Sequence, residues 1–323
     1  MKKRFSGFRK KASIIGASIL IGMAGARAQT NRIVQARTNI IREAKAHASK
    51  PQINFFYCTH EMGHFNFPQY KQAFEISRKE GNPYNTMLLE LSDLTHTERE
   101  KIERITDKNA DALNALSKKI IENQKGAYDK ALDKKYFQEF HRMCPINNEF
   151  VLHTLLVAYA NGVRRVRAIE SYSEKEIETH FRSNKGKEMP PQEYIIKFAQ
   201  FIKFRNQRMG ETIYKIRMQS EKDPYYSTNG LNALVILGAG HGGFNLEHGA
   251  HNEFAKEVRA KGGATSVGVL STYNQQIKPT NYRELLELEA VKLAQKSPEE
   301  IANYKIPKPL LEFGENLLKR QKR

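Results

Sequence analysis

The residues best suited to chemistry are histidines and glutamates that end or follow short runs rich in β-branched or apolar residues. His60 follows "INFFYC", Glu90 ends "NTMLLE", Glu170 ends "VRRVRAIE", and His241 follows "NALVILGAG". Imidazole nitrogens and carboxylate oxygens bind divalent cations, and a bound cation with an open coordination position can activate water for hydrolysis. A metal-dependent hydrolase is therefore the first hypothesis for this chain.

A second metal motif overlaps the first histidine. The stretch "HEMGH" has the HExxH spacing of zinc metalloproteases, in which His60 and His64 would bind zinc from one helix and Glu61 would act as the base. The preceding "INFFYCT" is poor in helix formers and Pro68 follows closely, so local sequence favours a strand that ends near Cys58. The extended motif that would supply a third ligand is absent. The zinc metalloprotease therefore stays as an alternative.

The glycine-rich stretch "GAGHGG" fits the spacing of a dinucleotide-binding loop. Such a loop should open a helix directly, and an acidic residue should end the following strand to bind the ribose. Here "FNLEHGAH" delays the helix, and "VGVL" is followed by Ser271 and Thr272. These glycines instead indicate a loop that passes close to a site.

Strand and helix patterns alternate along the chain. The short β-branched or aromatic runs are "INFFYC", "NTMLLEL", "VRRVRAIE", "NALVILGAG" and "TSVGVLS". Between them lie helical patterns, among them a long one that begins at "PPQEYIIKF". This order predicts an α/β fold with a largely parallel central sheet flanked by helices, in which ligands collect at the carboxyl ends of the strands.

Three regions are expected along the chain. Residues 1–28 combine a basic start, the apolar run "ASIIGASILIGMAG" and the small-residue end Ala26-Arg27-Ala28, which is the pattern of a secretory signal peptide. Residues 29–280 should form the α/β domain, with a helical insertion at about 93–150, and residues 281–323 a helical tail. The mature protein would begin at Gln29 and be periplasmic or secreted.

The charge and the cysteine count say little about which classes of molecule the protein binds or whether it contains a disulfide bridge. Without residues 1–28, 46 basic and 35 acidic residues remain, a formal charge of +11. In an exported protein this sign suits anionic cell-envelope surfaces or acidic ligands, and no aromatic-interleaved basic motif for nucleic acid is present. Cys58 and Cys144 are too few for a disulfide framework; one bridge or two buried thiols both fit the sequence.

Taken together, these stretches resemble the Tiki/TraB superfamily, which includes erythromycin esterase-like enzymes and ChaN-like haem-binding lipoproteins. The resemblance rests on a set of matching stretches spread over residues 50–272. They are "YCTH", "LLE", "AYANGVRRVRAIE", "RNQRM" and "GAGH". The first stretch departs from the family pattern because Tyr57 stands in place of a glycine. Tiki-like relatives are metal-dependent peptidases, so the resemblance implies hydrolysis of a peptide or amide bond.

The roles expected of the individual residues follow from their chemistry. His60, Glu90 and His241 would hold a divalent cation such as zinc, manganese or cobalt, and His64 could join them from the adjoining loop. Glu170 or Glu61 would orient the attacking water or accept its proton. Arg205 would pair with a substrate carboxylate or a developing oxyanion, the substrate being a peptide or a small molecule.

A haem-binding protein is the other class that the resemblance leaves open. Tyr57 could then be an axial ligand, and the basic charge would match the haem propionates. His248 and His251 lie in "EHGAH", a predicted loop that could be a lid, supply extra ligands or be solvated polar sequence; the last interpretation is favoured.

Overall fold

Five short segments, four of them mainly apolar and one with the sequence RVRA, form one parallel sheet in the computed structural model of this protein. The strands are β1 (Gln52–Cys58), β2 (Thr86–Leu89), β3 (Arg165–Ala168), β4 (Asn232–Gly238) and β5 (Ser266–Ser271). They lie in the order β3-β2-β4-β1-β5, and every neighbouring pair is parallel. Helices connect and cover the strands, so the predicted α/β fold with a parallel central sheet is confirmed.

The structure describes residues 52–58, 66–79, 81–90, 96–125, 129–144, 149–170, 189–238, 241, 249–263, 266–271 and 281–321. Within these ranges the helices, in chain order, are α1 (Asn66–Lys79), α2 (His96–Lys108), α3 (Ala110–Lys125), α4 (Lys130–Met143), α5 (Glu149–Ala160), α6 (Pro191–Ser220), α7 (Pro224–Asn229), α8 (Ala250–Ala260), α9 (Tyr282–Leu293), α10 (Pro298–Ala302) and α11 (Lys308–Gln321).

Alternation of side chains along the strands gives the sheet two apolar faces. In β1, Phe55 and Tyr57 point to one face, whereas Phe56 points to the other. In β4, Val235 points to the same face as Phe55, and Ile236 points to the same face as Phe56. Both sides of the sheet are therefore buried, which explains why these strands read as continuous apolar runs.

The helical block between β2 and β3 covers one of these faces. Helices α3, α4 and α5 contribute Leu113, Phe140 and Leu155 to the same core as Phe56 and Ile236 of the sheet. Helix α2 also reaches the edge strand, where the Glu103 carboxylate accepts the backbone N–H of Ala168 at 2.7 Å. The helices of this region therefore share one hydrophobic core with the sheet.

Helix α6 covers the other face and runs past the carboxyl edge of the sheet. It begins with Pro191 at its first position, where the missing N–H costs nothing, and continues for 30 residues. Its buried positions Ile202, Met209 and Ile213 recur at helical spacing. The first half of this helix packs against α9 and its second half packs against α8 and the sheet, and so it connects the sheet to the helical tail.

Several expectations concern the ends of the chain and its thiols. Residues 1–28 lie outside the described residues, so the signal peptide remains a prediction. Among the described helices, none is long and apolar enough to cross a membrane. Residues 281–321 contain α9, α10 and α11. Cys144 is a buried free cysteine, which agrees with the buried-thiol interpretation for that residue.

Candidate metal centre

The parallel register brings three predicted residues to the same edge of the sheet. Leu89 of β2 lies beside both Ala168 of β3 and Ile236 of β4, so the residues after these strands emerge side by side. Glu90 directly follows β2, and Glu170 comes two residues after β3. Both strands are shorter than the sequence suggested, and both carboxylates therefore stand just beyond the ladder rather than within it.

Glu90 joins the ends of two strands. Its Oε2 accepts the backbone N–H of Gly238, the last residue of β4, at 3.0 Å. Its Oε1 lies 3.6 Å from Nε2 of His241, which comes three residues after Gly238. The Glu90 side chain is only 6% exposed, so this carboxylate is buried in the seam between β2 and β4.

Arg205 of α6 lies between the two carboxylates. Its Nε donates to Oε1 of Glu170 at 2.8 Å, and its Nη2 donates to Oε1 of Glu90 at 2.5 Å and also to Oε1 of Glu170. The guanidinium also lies over the Phe201 ring, one turn earlier in the helix. All three charged side chains are almost fully buried, so the single positive charge of Arg205 offsets part of the cost of burying the two carboxylates.

His241 is held as a neutral imidazole. Its Nδ1 lies 2.7 Å from Oδ1 of Asn206, which can only accept, so Nδ1 carries the proton and Nε2 presents a lone pair toward Glu90. Burial lowers the pKa of His241, the neighbouring Arg205 lowers it further, and Glu90 opposes this with a smaller effect. A neutral imidazole whose second nitrogen is hydrogen-bonded is the form that binds metal ions.

Glu90, Glu170 and His241 could hold a metal ion. One ligand atom from each lies within 4.8 Å of the other two, and the set offers one nitrogen and two carboxylate oxygens. This donor set suits divalent first-row metals better than soft metals that prefer thiolate. The structure thereby supports the prediction of a metal site, though not the identity of the metal. Glu170, which the sequence predicted to act as a base, belongs to the group of possible ligands.

Tyr57 lies in a different environment from the one that the haem interpretation requires. It is fully buried in the core, and its hydroxyl oxygen lies 2.7 Å from Nδ1 of His251. It also accepts the backbone N–H of His251 at 3.2 Å, and burial raises the pKa of the hydroxyl. A hydroxyl engaged in this way does not support its use as an axial haem ligand.

The interpretation of His251 as a solvated loop residue was wrong. His251 lies in the first turn of α8 and is only 3% exposed, packed edge-on against Phe55 and Tyr57. A Cβ on Gly249 would lie 2.7 Å from Nδ1 of His251 and 2.8 Å from the carbonyl oxygen of His241. Glycine at 249 thus allows α8 to begin directly against the backbone of the candidate site.

The remaining predicted site residues fall outside the described part of the chain. His60, Glu61 and His64 follow the end of β1 and precede α1, as do the other residues of "HEMGH". The strand does end at Cys58, as the sequence predicted. The roles of these three residues, and that of His248, stay predictions.

Asn206 is the residue of the candidate site to which the sequence analysis assigned no role. The apolar stripe of α6 contains Ile202, Met209 and Ile213, and positions 205 and 206 fall within it at helical spacing. Two adjacent polar residues inside a buried stripe must have buried partners, and this was the available signal. The same argument applies to His251, which shares its stripe with Phe254 and Val258.

Comparison with known proteins assigns no family to this arrangement. No protein-family model matches the chain, and no match was found among curated proteins or among solved structures.

Proposed function

We propose that the cluster of Glu90, Glu170 and His241 is the metal centre of an exported hydrolase that cleaves peptide or amide bonds. The observation that carries this proposal is the convergence of three buried potential ligands from three adjacent strands. The carboxyl edge of a parallel sheet is also where α/β folds bind their ligands. The resemblance to Tiki-like peptidases supports the reaction class.

The side chains have distinct parts in this proposal. A divalent cation, when bound, would supply Lewis-acid activation of water and of the scissile carbonyl. Asn206 fixes the tautomer of His241 so that Nε2 faces the centre. Arg205 neutralises part of the negative charge of Glu90 and Glu170. Zinc, manganese and cobalt all fit the nitrogen and oxygen donors.

His60 would extend the centre from the neighbouring strand. It follows β1, which pairs with β4, so a histidine after β1 would emerge next to the segment that carries His241. In the zinc metalloprotease alternative, His60 and His64 would instead hold the metal without His241. A His241→Ala variant separates these two arrangements because only the first requires His241.

Activity on peptide and amide substrates tests the proposal. The full-length protein, treated with chelator, should regain hydrolysis on addition of zinc, manganese or cobalt, and Glu170→Gln and His241→Ala should reduce kcat/KM at least about a hundredfold. Glu287→Gln is the matched control, since Glu287 is also a buried glutamate with an arginine partner but lies on α9. Hydrolysis that survives both chelation and His241→Ala would refute the proposal.

A further inference from the structure

The Arg205 guanidinium already occupies a cation position within the candidate metal centre. One nitrogen, Nη2, donates to Oε1 of Glu90 and to Oε1 of Glu170. A fork of fixed N–H donors is well suited to bridging two carboxylates, which a point charge such as lysine does less well. The two glutamates are therefore held together by a side chain of the protein itself.

The same oxygen atoms are those that a metal ion would need. Oε1 of Glu90 faces Nε2 of His241 at 3.6 Å and is at the same time the acceptor for Arg205. The other oxygen of Glu90 accepts the backbone N–H of Gly238. A divalent cation that binds Glu90 and His241 together must therefore share or replace the position of the guanidinium, and two cations this close in a buried site repel each other.

We propose that Arg205 is a built-in counter-cation that a divalent metal ion must displace from Glu90 and Glu170, so that the centre alternates between a guanidinium-bound and a metal-bound state. The inference rests on the proposed metal centre and adds its regulation. The apparent affinity for metal then equals the intrinsic affinity multiplied by the fraction of molecules in which the guanidinium does not occupy the carboxylates. The guanidinium-bound state keeps part of the negative charge of the buried carboxylates neutralised until metal arrives.

Removal of the guanidinium distinguishes this competition from a supporting role. Arg205→Met leaves two buried carboxylates without their arginine, so the variant should be less stable than the wild type without metal and should gain more from metal. Arg205→Lys keeps the charge but loses the fork and should fall between the two. Arg208→Met is the matched control, since Arg208 lies on the same helix, with a side chain 38% exposed and outside the cluster.

The experiment measures binding of Zn²⁺ and of Mn²⁺ by titration calorimetry, and Tm with and without each ion, on the full-length protein and these variants. We expect Arg205→Met to bind at least tenfold more tightly than the wild type and to show the larger rise in Tm on metal addition. Arg208→Met should match the wild type. Addition of His241→Ala to Arg205→Met should abolish the gain, which assigns it to this centre.

The possible outcomes separate this inference from the proposed function. Equal or weaker binding in Arg205→Met, with wild-type binding that depends on His241, would overturn the displacement inference and leave the metal centre standing. Absence of binding in the wild type and in both Arg205 variants would overturn both. Arg205→Met could be unfolded in the absence of metal. In that case, refolding of the variant on metal addition supports the inference. Failure to refold, together with wild-type metal affinity in Arg205→Lys, contradicts it.

Discussion

The protonation state of His241 is set by its surroundings. Burial and Arg205 hold its pKa below the ordinary value, and Asn206 fixes its tautomer. In the unfolded chain a histidine titrates near 6.5, so below about this pH the unfolded state binds a proton that the folded state does not. The contribution of His241 to the free energy of unfolding is therefore complete above the pKa that it has in the unfolded chain. It decreases as the pH falls from that value toward the lower pKa that it has in the folded protein.

Comparison with His241→Gln isolates this effect. In metal-free protein, the free energy of unfolding, measured with urea at pH 7.5 and 5.5, should decrease more on acidification in the wild type than in His241→Gln. His141→Gln, at an exposed position of α4, controls for the loss of a histidine as such. An identical pH dependence in the wild type and His241→Gln would show that the buried neutral imidazole is not a feature of the protein.

At the scale of elements, close backbone contact fixes α8 against α6. A Cβ on Gly210 would lie 2.7 Å from the backbone nitrogen of Phe254 and 2.8 Å from the carbonyl carbon of Glu253. Contacts of this length with backbone atoms require the helices to move apart. The position of α8 matters for the site because its first turn carries His251 and its N-cap residue, Gly249, lies against the backbone carbonyl of His241.

Gly210→Ala tests this contact through the sign of its effect. Helix propensity alone predicts stabilisation by up to about 1 kcal/mol. The contact with α8 predicts the opposite, a loss of about 1–3 kcal/mol in the free energy of unfolding measured with urea. Gln207→Ala, at an exposed position of the same helix, should change stability little. Stabilisation by Gly210→Ala would contradict the close approach.

The elements were predictable because their signals are local, whereas the partners within the site were not. Apolar runs of four to seven residues and the helix-starting Pro191 gave the strands and α6 from sequence. The convergence of Glu90, Glu170 and His241 followed from the logic of parallel sheets. The Arg205 bridge depends on how α6 crosses the sheet, a tertiary feature that no local pattern encodes.

At the scale of the whole molecule, the basic, apolar and small-residue segments of residues 1–28 predict export. The protein, when expressed in a bacterium and recovered from the periplasm or medium, should begin at Gln29, as measured by intact mass and N-terminal peptide mapping. Replacement of Ala28 by Phe should slow or shift cleavage, because this site requires small residues. Recovery of an uncleaved chain starting at Met1 in the cytoplasm would contradict the prediction.

Bound metal per chain tests the central claim most directly. Elemental mass spectrometry of the full-length protein should find about one divalent metal ion per chain, lost in His241→Ala and reduced in Glu170→Gln, but retained in the Glu287→Gln control. That result would tie the metal to the strand-end cluster of Glu90, Glu170 and His241. Metal retained in His241→Ala but lost in His64→Ala would instead assign it to the HExxH motif and contradict the account.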